Sequence, residues 1–314
     1  MNGVCDVPKS LMPQANLVLP TREGVGPSCI VLPVGPWLKV IDFLADRFPS
    51  LAREEIAERM LRGDIVDEKG MGISPGLQYE PHQKFYYYRS IPAEVRIPFE
   101  EVVLFQDDYL IVVDKPHFLP VTPGGRYLQE TVLVRLKRKL GIDTLAPMHR
   151  IDRETAGLVL FTIQPPTRGK YQHLFSQKAV MKRYQAIADF RPDLKFPMTV
   201  RSRLVEADHF MRMRETNGEP NAETAIEILE CKGQLARYRL TPASGKKHQL
   251  RVHMAALGIP ILNDQIYPHY LSKQQIESAD YSKPLQLLAE QISFTDPISG
   301  QKRCFETRRQ LNAL

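Results

Sequence analysis

Residues 149–161 read HRIDRETAGLVLF and decide the fold of the largest part of the chain. The stretch ends in an apolar run, LVLF, which is typical of a strand buried in a sheet. The loop before it carries Asp152 between Arg150 and Arg153. Nearby positive charge favours the ionised carboxylate, so we expect an anion that can act as a nucleophile. A turn-capping aspartate paired with its arginines is the alternative that the tripeptide alone leaves open.

The longer string around Asp152 resembles the signature HRLDRxTSGLLL of the RluA family of RNA pseudouridine synthases. In that family the aspartate of the signature is catalytic, and the resemblance assigns this role to Asp152. Two positions differ, with Ile151 in place of Leu and Ala156 in place of Ser. Both substitutions roughly keep the size and character of the side chain.

The resemblance covers most of the chain from about Phe99 onward. Residues 101–125, EVVLFQDDYLIVVDKPHFLPVTPGG, resemble the opening segment of the family, in which a strand ends in Lys-Pro and a Pro/Gly loop follows. Residues 180–190, VMKRYQAIADF, match its Lys-x-Tyr strand. This match places Tyr184 at the active-site tyrosine of the family.

Two further blocks follow in the family's order. Residues 243–264, ASGKKHQLRVHMAALGIPILND, resemble the block TGRxHQIRVHLAxLGHPLLGD, which supplies Arg251. Residues 285–300 resemble its closing strand pair. The chain departs from the family at Asp114, where Asn is usual, and at Lys247, where Thr or Ser is frequent.

The resemblance implies an active site built on three residues. Asp152 is the catalytic carboxylate, Arg251 forms an ion pair that holds it, and Tyr184 stacks on the target base and can transfer a proton. From pattern alone, Tyr184 reads as a half-exposed strand residue and Arg251 as part of a solvated basic helix face. Six neighbours in the matching motifs are predicted to contact RNA: His149, Arg150, Arg153, Lys182, Lys247 and Leu250.

The implied reaction needs no cofactor. Uridine becomes pseudouridine when the bond from C1′ to N1 breaks, the base turns, and C5 joins C1′. Nothing is oxidised or reduced, and four cysteines and eight histidines show no spacing typical of metal ligands. We therefore predict neither a metal nor a redox cofactor. Attack on the sugar, attack on the base, and stabilisation of a cationic sugar all stay open as roles for the carboxylate.

Charge and composition favour RNA as the partner. The 314 residues are 43% hydrophobic, enough for a sizeable core, and carry a formal net charge of +6. A base in folded RNA must leave its stack before C1′ is accessible, so the site needs a basic rim. The candidates for this rim are Arg126, Arg135, Lys137, Arg138, Lys139, Arg168, Lys170, Lys178, Lys182, Arg183, Lys246 and Lys247.

The N-terminal part is predicted to form a separate module. We expect an extended arm over residues 1–36, an S4-like domain with its linker over 37–95, and the catalytic domain over 96–314. Two short helices are predicted in the S4-like segment. Ser50 caps the second helix, Gly63 ends it, and its apolar face is formed by Ile56, Met60 and Leu61.

The S4-like segment is acidic. Residues 37–70 hold six Lys/Arg against eight Asp/Glu, whereas RNA-reading surfaces are usually basic. A module used for packing and a working RNA clamp both stay open. No leader-like start and no apolar stretch of about 18 residues is present. With scattered cysteines, this predicts a cytoplasmic monomer without membrane insertion.

The fold expected for the catalytic domain is α+β, with a central mixed, largely antiparallel sheet and flanking helices. Strands are predicted at residues 102–105, 110–113, 158–163, 184–188 and 236–240, and helices at 131–140, 168–176 and 247–257.

Two other functions stay open at this point. One is a non-catalytic RNA-binding or RNA-folding protein on the same scaffold. The other is a glycosidase or nucleosidase, which would want a second carboxylate, offered here by Glu154. The expected function remains pseudouridine synthesis at specific uridines of rRNA or tRNA.

Overall fold

The structure is a computed structural model that describes residues 19–89, 94–209, 211–269 and 281–313. The chain divides into two compact units, Met1–Ser90 and Ile91–Leu314. The division lies close to the expected boundary at residues 95 and 96. None of the helices in the described ranges is long and apolar enough to cross a membrane.

The first unit combines a small sheet with two helices. Its antiparallel strands, in the spatial order β1-β3-β2, are β1 (Ser28–Val31), β2 (Ile65–Val66) and β3 (Lys84–Tyr87). The helices are α1 (Val40–Arg47) and α2 (Arg53–Leu61). Buried side chains from both helices and from β3, including Leu44, Ile56 and Phe85, form its core.

Three expectations for this unit need correction. The end of the expected arm is strand β1, because its backbone pairs with β3; residues 1–18 lie outside the described residues. Helix α2 has Ala52, not Ser50, at its N-cap, without a side-chain hydrogen bond. Leu61 is 74% exposed and so is not on the buried face with Ile56 and Met60. An S4-like identity for the unit stays a prediction.

The second unit is built on one large mixed sheet. Its spatial order is β10-β9-β11-β12-β8-β13-β7-β5-β4, and two further strands pair at the side, β14 with β13 and β6 with β7. The strands are β4 (Val102–Gln106), β5 (Leu110–Lys115), β6 (Ala146–Pro147), β7 (Ala156–Thr162), β8 (Met181–Asp189), β9 (Met198–Glu206), β10 (Met213–Thr216), β11 (Ala222–Lys232), β12 (Leu235–Pro242), β13 (Leu287–Thr295) and β14 (Lys302–Glu306).

In the described part of this unit, three helices accompany the sheet: α3 (Val132–Leu140), α4 (Pro165–Ser176) and α5 (Gln249–Ala256). Strands β5 and β7 are buried over their whole length, because side chains cover both faces. On one face Val113 and Phe161 belong to the same core cluster as Val132 and Leu136 of α3. The continuous apolar runs in the sequence are thus explained by burial on both sides.

The predicted fold class is confirmed. Every pairing between neighbouring strands in this sheet is antiparallel except the one between β7 and β13. The predicted strands and helices overlap β4, β5, β7, β8, β12, α3, α4 and α5. Strands β6, β9, β10 and β11 were not expected, whereas β13 and β14 correspond to the closing strand pair expected at residues 285–300, with β14 beginning two residues beyond that segment.

The parallel pair depends on Gly157. Ala289 of β13 lies opposite Gly157 of β7. Gly157 has φ +106, and a Cβ at this position would lie 2.2 Å from the carbonyl oxygen of Ala289. Only glycine fits such a conformation at so close a backbone approach.

The structure explains why this chain has Asp114 where the resembling family usually has Asn. Its carboxylate, 2% exposed, accepts hydrogen bonds from the Thr307 hydroxyl (2.7 Å) and the Arg308 backbone N–H (2.8 Å). The Arg309 guanidinium lies 3.4 Å away as an ion-pair partner. A charged carboxylate therefore fastens the C-terminal segment to β5, and the arginine compensates its charge.

Candidate active site

Three distant parts of the sequence meet in one cleft of the second unit. Asp152 lies in the loop before β7, Tyr184 lies on β8, and Arg251 lies on α5. All three line a cleft with a volume of about 1000 Å³. The resemblance had placed these residues together, and the fold brings them to the same cavity.

Arg251 is clamped between two carboxylates. Its side chain is 1% exposed, and its Nη1 donates a hydrogen bond to Oδ2 of Asp152 at 3.0 Å. Its Nε and Nη2 donate to the two oxygens of Asp264, both at 2.7 Å. This bidentate geometry fixes the plane of the guanidinium. The expected solvated basic face is therefore wrong for Arg251.

Asp264 is a site residue that sequence reasoning missed. Its side chain is 1% exposed, and Oδ1 also accepts the backbone N–H groups of Ile266 (2.8 Å) and Tyr267 (3.0 Å). Its position at the end of the block that contains Arg251 was the available signal. Nothing in one sequence, however, shows that two residues 13 positions apart form a pair.

Asp152 is an anion in this environment. Burial raises the pKa of its carboxyl group, but His248, Arg251 and Lys115 together lower it below the ordinary value of 3.8. The side chain remains 26% exposed toward the cleft. The carboxylate is thus charged, held at one oxygen, and accessible to a substrate.

The two arginines next to Asp152 in the sequence are not the cations that hold it. Arg150 is exposed and lines the cleft. The guanidinium of Arg153 pairs with Glu154 at 2.7 Å and donates to the hydroxyl of Tyr127. The expected stabilisation by flanking arginines is corrected, because Arg153 binds Glu154 and Tyr127 and the cation that binds Asp152 is Arg251.

Lys115 ties this loop to the end of β5. Its side chain is fully buried, and its Nζ donates to the carbonyl oxygens of Leu119 (2.8 Å), Pro116 (2.9 Å) and Arg153 (3.0 Å). When Lys115 is protonated, its three N–H donors match these three acceptors. One of them belongs to the residue after Asp152, so Lys115 helps to set the position of the loop that carries Asp152.

Tyr184 presents a neutral phenol to the cleft. Burial raises its pKa above the ordinary value of 10.0, and the negative charge of Asp152 raises it further. In the sheet, its backbone lies opposite Leu240 of β12 and Ala289 of β13. Its pairing with two neighbouring strands makes it a rigid platform, suited to stacking and to hydrogen-bond donation.

His248 also lies close to the carboxylate of Asp152. It precedes α5, and its Nε2 lies 3.7 Å from Oδ1 of Asp152. Its Nδ1 lies 3.0 Å from the hydroxyl oxygen of Tyr267. The sequence indicated only that His248 lacks metal-ligand spacing, because Tyr267 is 19 residues away and shows no pattern with it.

The predicted RNA contacts divide into two groups. His149, Arg150, Lys182, Lys247 and Leu250 line the cleft with the three central residues. Arg153 does not, since Glu154 and Tyr127 bind its guanidinium. Five positions thus fit the prediction geometrically, and a role in RNA contact stays a prediction for them.

The predicted basic rim is only partly assembled. Four of the twelve candidates line the cleft: Lys178, Lys182, Lys246 and Lys247. The other eight are outside its lining: Arg126, Arg135, Lys137, Arg138, Lys139, Arg168, Lys170 and Arg183.

Arg135 was assigned to the rim wrongly, because it is a buried structural residue. Its guanidinium pairs with Glu130 and, at 3.3 Å, with Glu101. It also donates to the carbonyl oxygens of Phe99 (2.6 Å) and Ile97 (2.7 Å). Its position on the amphipathic helix α3 did not reveal the two acidic partners.

The chemistry of a glycosidase would need a second carboxylate in the cleft. Among the described residues that line the cleft, Asp152 is the only one with a carboxylate. Glu154 pairs with Arg153, and both oxygens of Asp264 are occupied by Arg251. The two-carboxylate chemistry of a glycosidase therefore lacks its partner group. Within the described ranges, no three His, Cys, Asp or Glu side chains come together as metal ligands.

The chain is similar in sequence to known RNA pseudouridine synthases. A family model described as RNA pseudouridylate synthase matches residues 109–256. The dual-specificity RNA pseudouridine synthase RluA of Haemophilus influenzae is 31% identical over 209 residues, which cover 66% of this chain and 92% of the relative. The mitochondrial tRNA pseudouridine(32) synthase of Saccharomyces cerevisiae is 27% identical over 235 residues, 73% of this chain and 50% of the relative.

A solved structure of a pseudouridylate synthase also resembles this chain. The human RNA pseudouridylate synthase domain containing 4 superposes with a TM-score of 0.51 at 26% identity, covering 67% of this chain and 88% of that protein. Because the Haemophilus relative is matched over nearly its whole length at 31% identity, the chain belongs to the RluA family of RNA pseudouridine synthases, isomerases that act on RNA.

Proposed function

We propose that Asp152 is the catalytic carboxylate of this enzyme and that it acts on specific uridines of rRNA or tRNA. One observation carries the proposal. In the cleft, the carboxylate of Asp152 is ionised, 26% exposed, and held at 3.0 Å by an arginine that is itself buried. A carboxylate held in this way faces a reacting group with little reorganisation.

The reaction balances without any co-reactant. The bond between N1 and C1′ of the uridine breaks, the freed base turns within the cleft, and C5 bonds to C1′. The hydrogen at C5 leaves as a proton, and N1 takes up a proton. Asp152 contributes negative charge beside the sugar and base while these bonds change.

Arg251 and Tyr184, the other two residues of the proposed catalytic set, have different roles. Arg251, oriented by Asp264, keeps Asp152 charged and in place. Tyr184 offers a neutral hydroxyl and an aromatic face to a base that is turning in the cleft. A phenol with a raised pKa donates a hydrogen bond and does not compete with Asp152 for the role of anion.

The names of two relatives suggest which classes of RNA to test as substrates. The yeast relative is named a tRNA pseudouridine(32) synthase and the Haemophilus relative a dual-specificity RNA enzyme. Arg150 and the lysines of the cleft lining supply cations for phosphates next to an extruded uridine. We therefore propose tRNA and rRNA as the two substrate classes to test first.

The decisive experiment measures tritium release from RNA labelled with [5-3H]uridine. Asp152→Asn keeps the shape of the side chain but removes its charge, and we expect a fall in rate of more than about a hundredfold, roughly 2.7 kcal/mol of barrier. The matched control is Asp193→Asn, whose aspartate is exposed and paired with Arg191. Activity of the Asp152 variant above about a hundredth of the parent rate would refute the assignment.

The substrate class needs its own experiment. Labelled total tRNA and labelled rRNA are assayed separately, and pseudouridines are mapped with carbodiimide in RNA from a deletion strain and its parent. A site that is lost in the deletion strain and restored by the parent gene, but not by the Asp152→Asn gene, identifies the target. If every lost site lies outside both RNA classes, the substrate proposal is wrong while the catalytic assignment stands.

A further inference from the structure

His248 occupies an unusual backbone position beside the catalytic carboxylate. It is the residue before α5 and has φ +54, a conformation that is uncommon for a residue with a side chain. Its side chain is 7% exposed and packs edge-on against the ring of Tyr267, with centroids 5.7 Å apart. Such a conformation costs energy, and it brings the imidazole to 3.7 Å from Asp152.

The hydrogen bonds around Tyr267 favour one of the two neutral tautomers of His248. The backbone N–H of Met213 donates to the hydroxyl oxygen of Tyr267 at 2.7 Å. That hydroxyl has one proton of its own, and Nδ1 of His248 lies 3.0 Å away. The arrangement that gives this hydroxyl proton a partner has Tyr267 donating to Nδ1, which accepts only when it is unprotonated.

In this arrangement the proton of the neutral imidazole is on Nε2, the nitrogen that faces Oδ1 of Asp152. Burial lowers the pKa of His248, and although Asp152 raises it, the net shift is below the ordinary value of 6.5. The neutral form with its proton on Nε2 follows near neutral pH.

We propose that His248 is a positioning residue that directs its Nε2–H at Oδ1 of Asp152 and, with Arg251 on Oδ2, sets the rotation of the catalytic carboxylate. The proposal rests on the proposed role of Asp152. A carboxylate held at one oxygen can rotate about its Cβ–Cγ bond, and a second donor restricts that rotation. The 3.7 Å separation is longer than a hydrogen bond, and contacts of this kind tighten when substrate fills a site.

One short segment supports both donors. Asp264 holds the guanidinium of Arg251, and Tyr267, three residues later, holds the imidazole of His248. The backbone N–H of Tyr267 in turn donates to Asp264 at 3.0 Å. Residues 264–267 thus orient two side chains that converge on the two oxygens of Asp152.

The first test observes the proton directly and does not depend on activity. In the full chain labelled with 15N-histidine, NMR should show Nδ1 of His248 as an unprotonated nitrogen and Nε2 as a protonated one. Tyr267→Phe removes the donor to Nδ1 and should convert the signal into a mixture of tautomers. A protonated Nδ1 in the parent would overturn the proposal, whatever the role of Asp152.

The second test compares two substitutions at the same position. His248→Ala should lower the single-turnover rate roughly tenfold, about the effect of one hydrogen bond to a charged group, and leave KM within about twofold. His248→Gln places an amide N–H near the position of Nε2 and should recover most of that loss. His173→Gln, at an exposed histidine on α4, is the matched control and should not change the rate.

The outcomes separate the possible failures. Equal losses in the Ala and Gln variants, or a rise in KM without a fall in rate, would overturn the positioning role. If Asp152→Asn is active but the NMR result holds, the proposed function fails and the tautomer assignment survives. If Asp152→Asn is inactive and His248→Ala matches the parent in rate, only the inference about His248 fails.

Discussion

At the scale of single residues, Arg251 shows how burial decides a role. Arginines in RNA-binding enzymes often contact phosphates, but a guanidinium that is 1% exposed and bound to two carboxylates has no free edge for a phosphate. Its charge acts inside the protein, where it compensates Asp152 and Asp264. The expected consequence is an effect on turnover and stability but little effect on affinity.

Substituting Arg251→Met should therefore impair turnover more than binding. The unpaired carboxylates of Asp152 and Asp264 then shift in pKa and orientation, so we expect the single-turnover rate to fall at least about a hundredfold and the Kd for RNA to change less than about threefold. Arg251→Lys, which keeps a charge without the bidentate fork, serves as a second variant in case the Met variant unfolds.

Lys247→Met provides the contrast. Lys247 is exposed and lines the cleft, so its loss should weaken RNA binding and lower the slope of log K against log salt by about one. Equal losses in affinity and turnover for Arg251→Met would show that Arg251 contacts RNA. Filter binding over a salt series and tritium release separate the two quantities.

Individual residues also show what the sequence could and could not predict. Asp152, Tyr184 and Arg251 were expected together because each stands in a motif with a family counterpart. Asp264 and Tyr267 were missed because their roles depend on partners 13 and 19 positions away, and no local pattern reports such a pair. Arg135 was misplaced for the same reason, since its acidic partners come from other segments.

At the scale of elements, Lys115 connects the end of β5 to two loops. Its ammonium group donates to carbonyl oxygens of the loop that follows β5 and of the loop that carries Asp152. The side chain of Lys115 thus holds these two loops together through its hydrogen bonds.

We predict that Lys115→Met destabilises the protein by about 3 kcal/mol, because buried carbonyl oxygens lose their donors. The loss of stability in the Lys115→Met variant should also depend on pH. Burial lowers the pKa of Lys115 to about 7 in the folded protein, from 10.5 ordinarily. Between these values the unfolded chain binds more protons, so the free energy of unfolding of the parent rises with pH relative to the variant.

Urea unfolding at several pH values from about 7 to 9 tests this prediction. Lys170→Met, at an exposed lysine on α4, is the control and should change stability by less than about 0.5 kcal/mol. A deficit of the Lys115 variant that is constant across this range, or that shrinks as the pH rises, would contradict the expected titration.

Elements were predicted well only where their pattern is simple. The buried strands β5 and β7 are continuous apolar runs and were recognised. Strands β9 and β11 carry charged residues on their exposed face, and these charges are compensated across strands, as in the pair between Arg201 and Glu223 at 2.8 Å. Such compensation becomes visible only when the pairing is known, which is why these strands were missed.

At the scale of the whole molecule, charge is distributed unevenly between the two units. Four basic residues of the first unit, Arg22, Arg53, Arg62 and Lys84, form ion pairs with carboxylates of the same unit. Because these cations are already paired with carboxylates, we expect them to contribute less to the binding of phosphates. The charge balance of residues 37–70 and these ion pairs both favour a module that does not clamp RNA.

We therefore expect deletion of residues 1–90 to leave the salt dependence of RNA binding nearly unchanged. The truncated chain should begin at Ile91, because Glu94 accepts the backbone N–H groups of Leu128, Gln129 and Glu130. The slope of log K against log salt should differ by less than about one from that of the full chain. A slope smaller by two or more would show that phosphates are bound by the first unit.

The position of β13 has a consequence for synthesis of the protein. This strand comes late in the chain, yet in the sheet it separates β7, which follows Asp152, from β8, which carries Tyr184. A ribosome that has translated both of these residues has not yet made the strand that spaces them. Translation must continue past Thr295, and that residue must leave the exit tunnel, before the two side chains can take their places. A nascent chain therefore cannot assemble this part of the cleft before β13 has emerged from the ribosome.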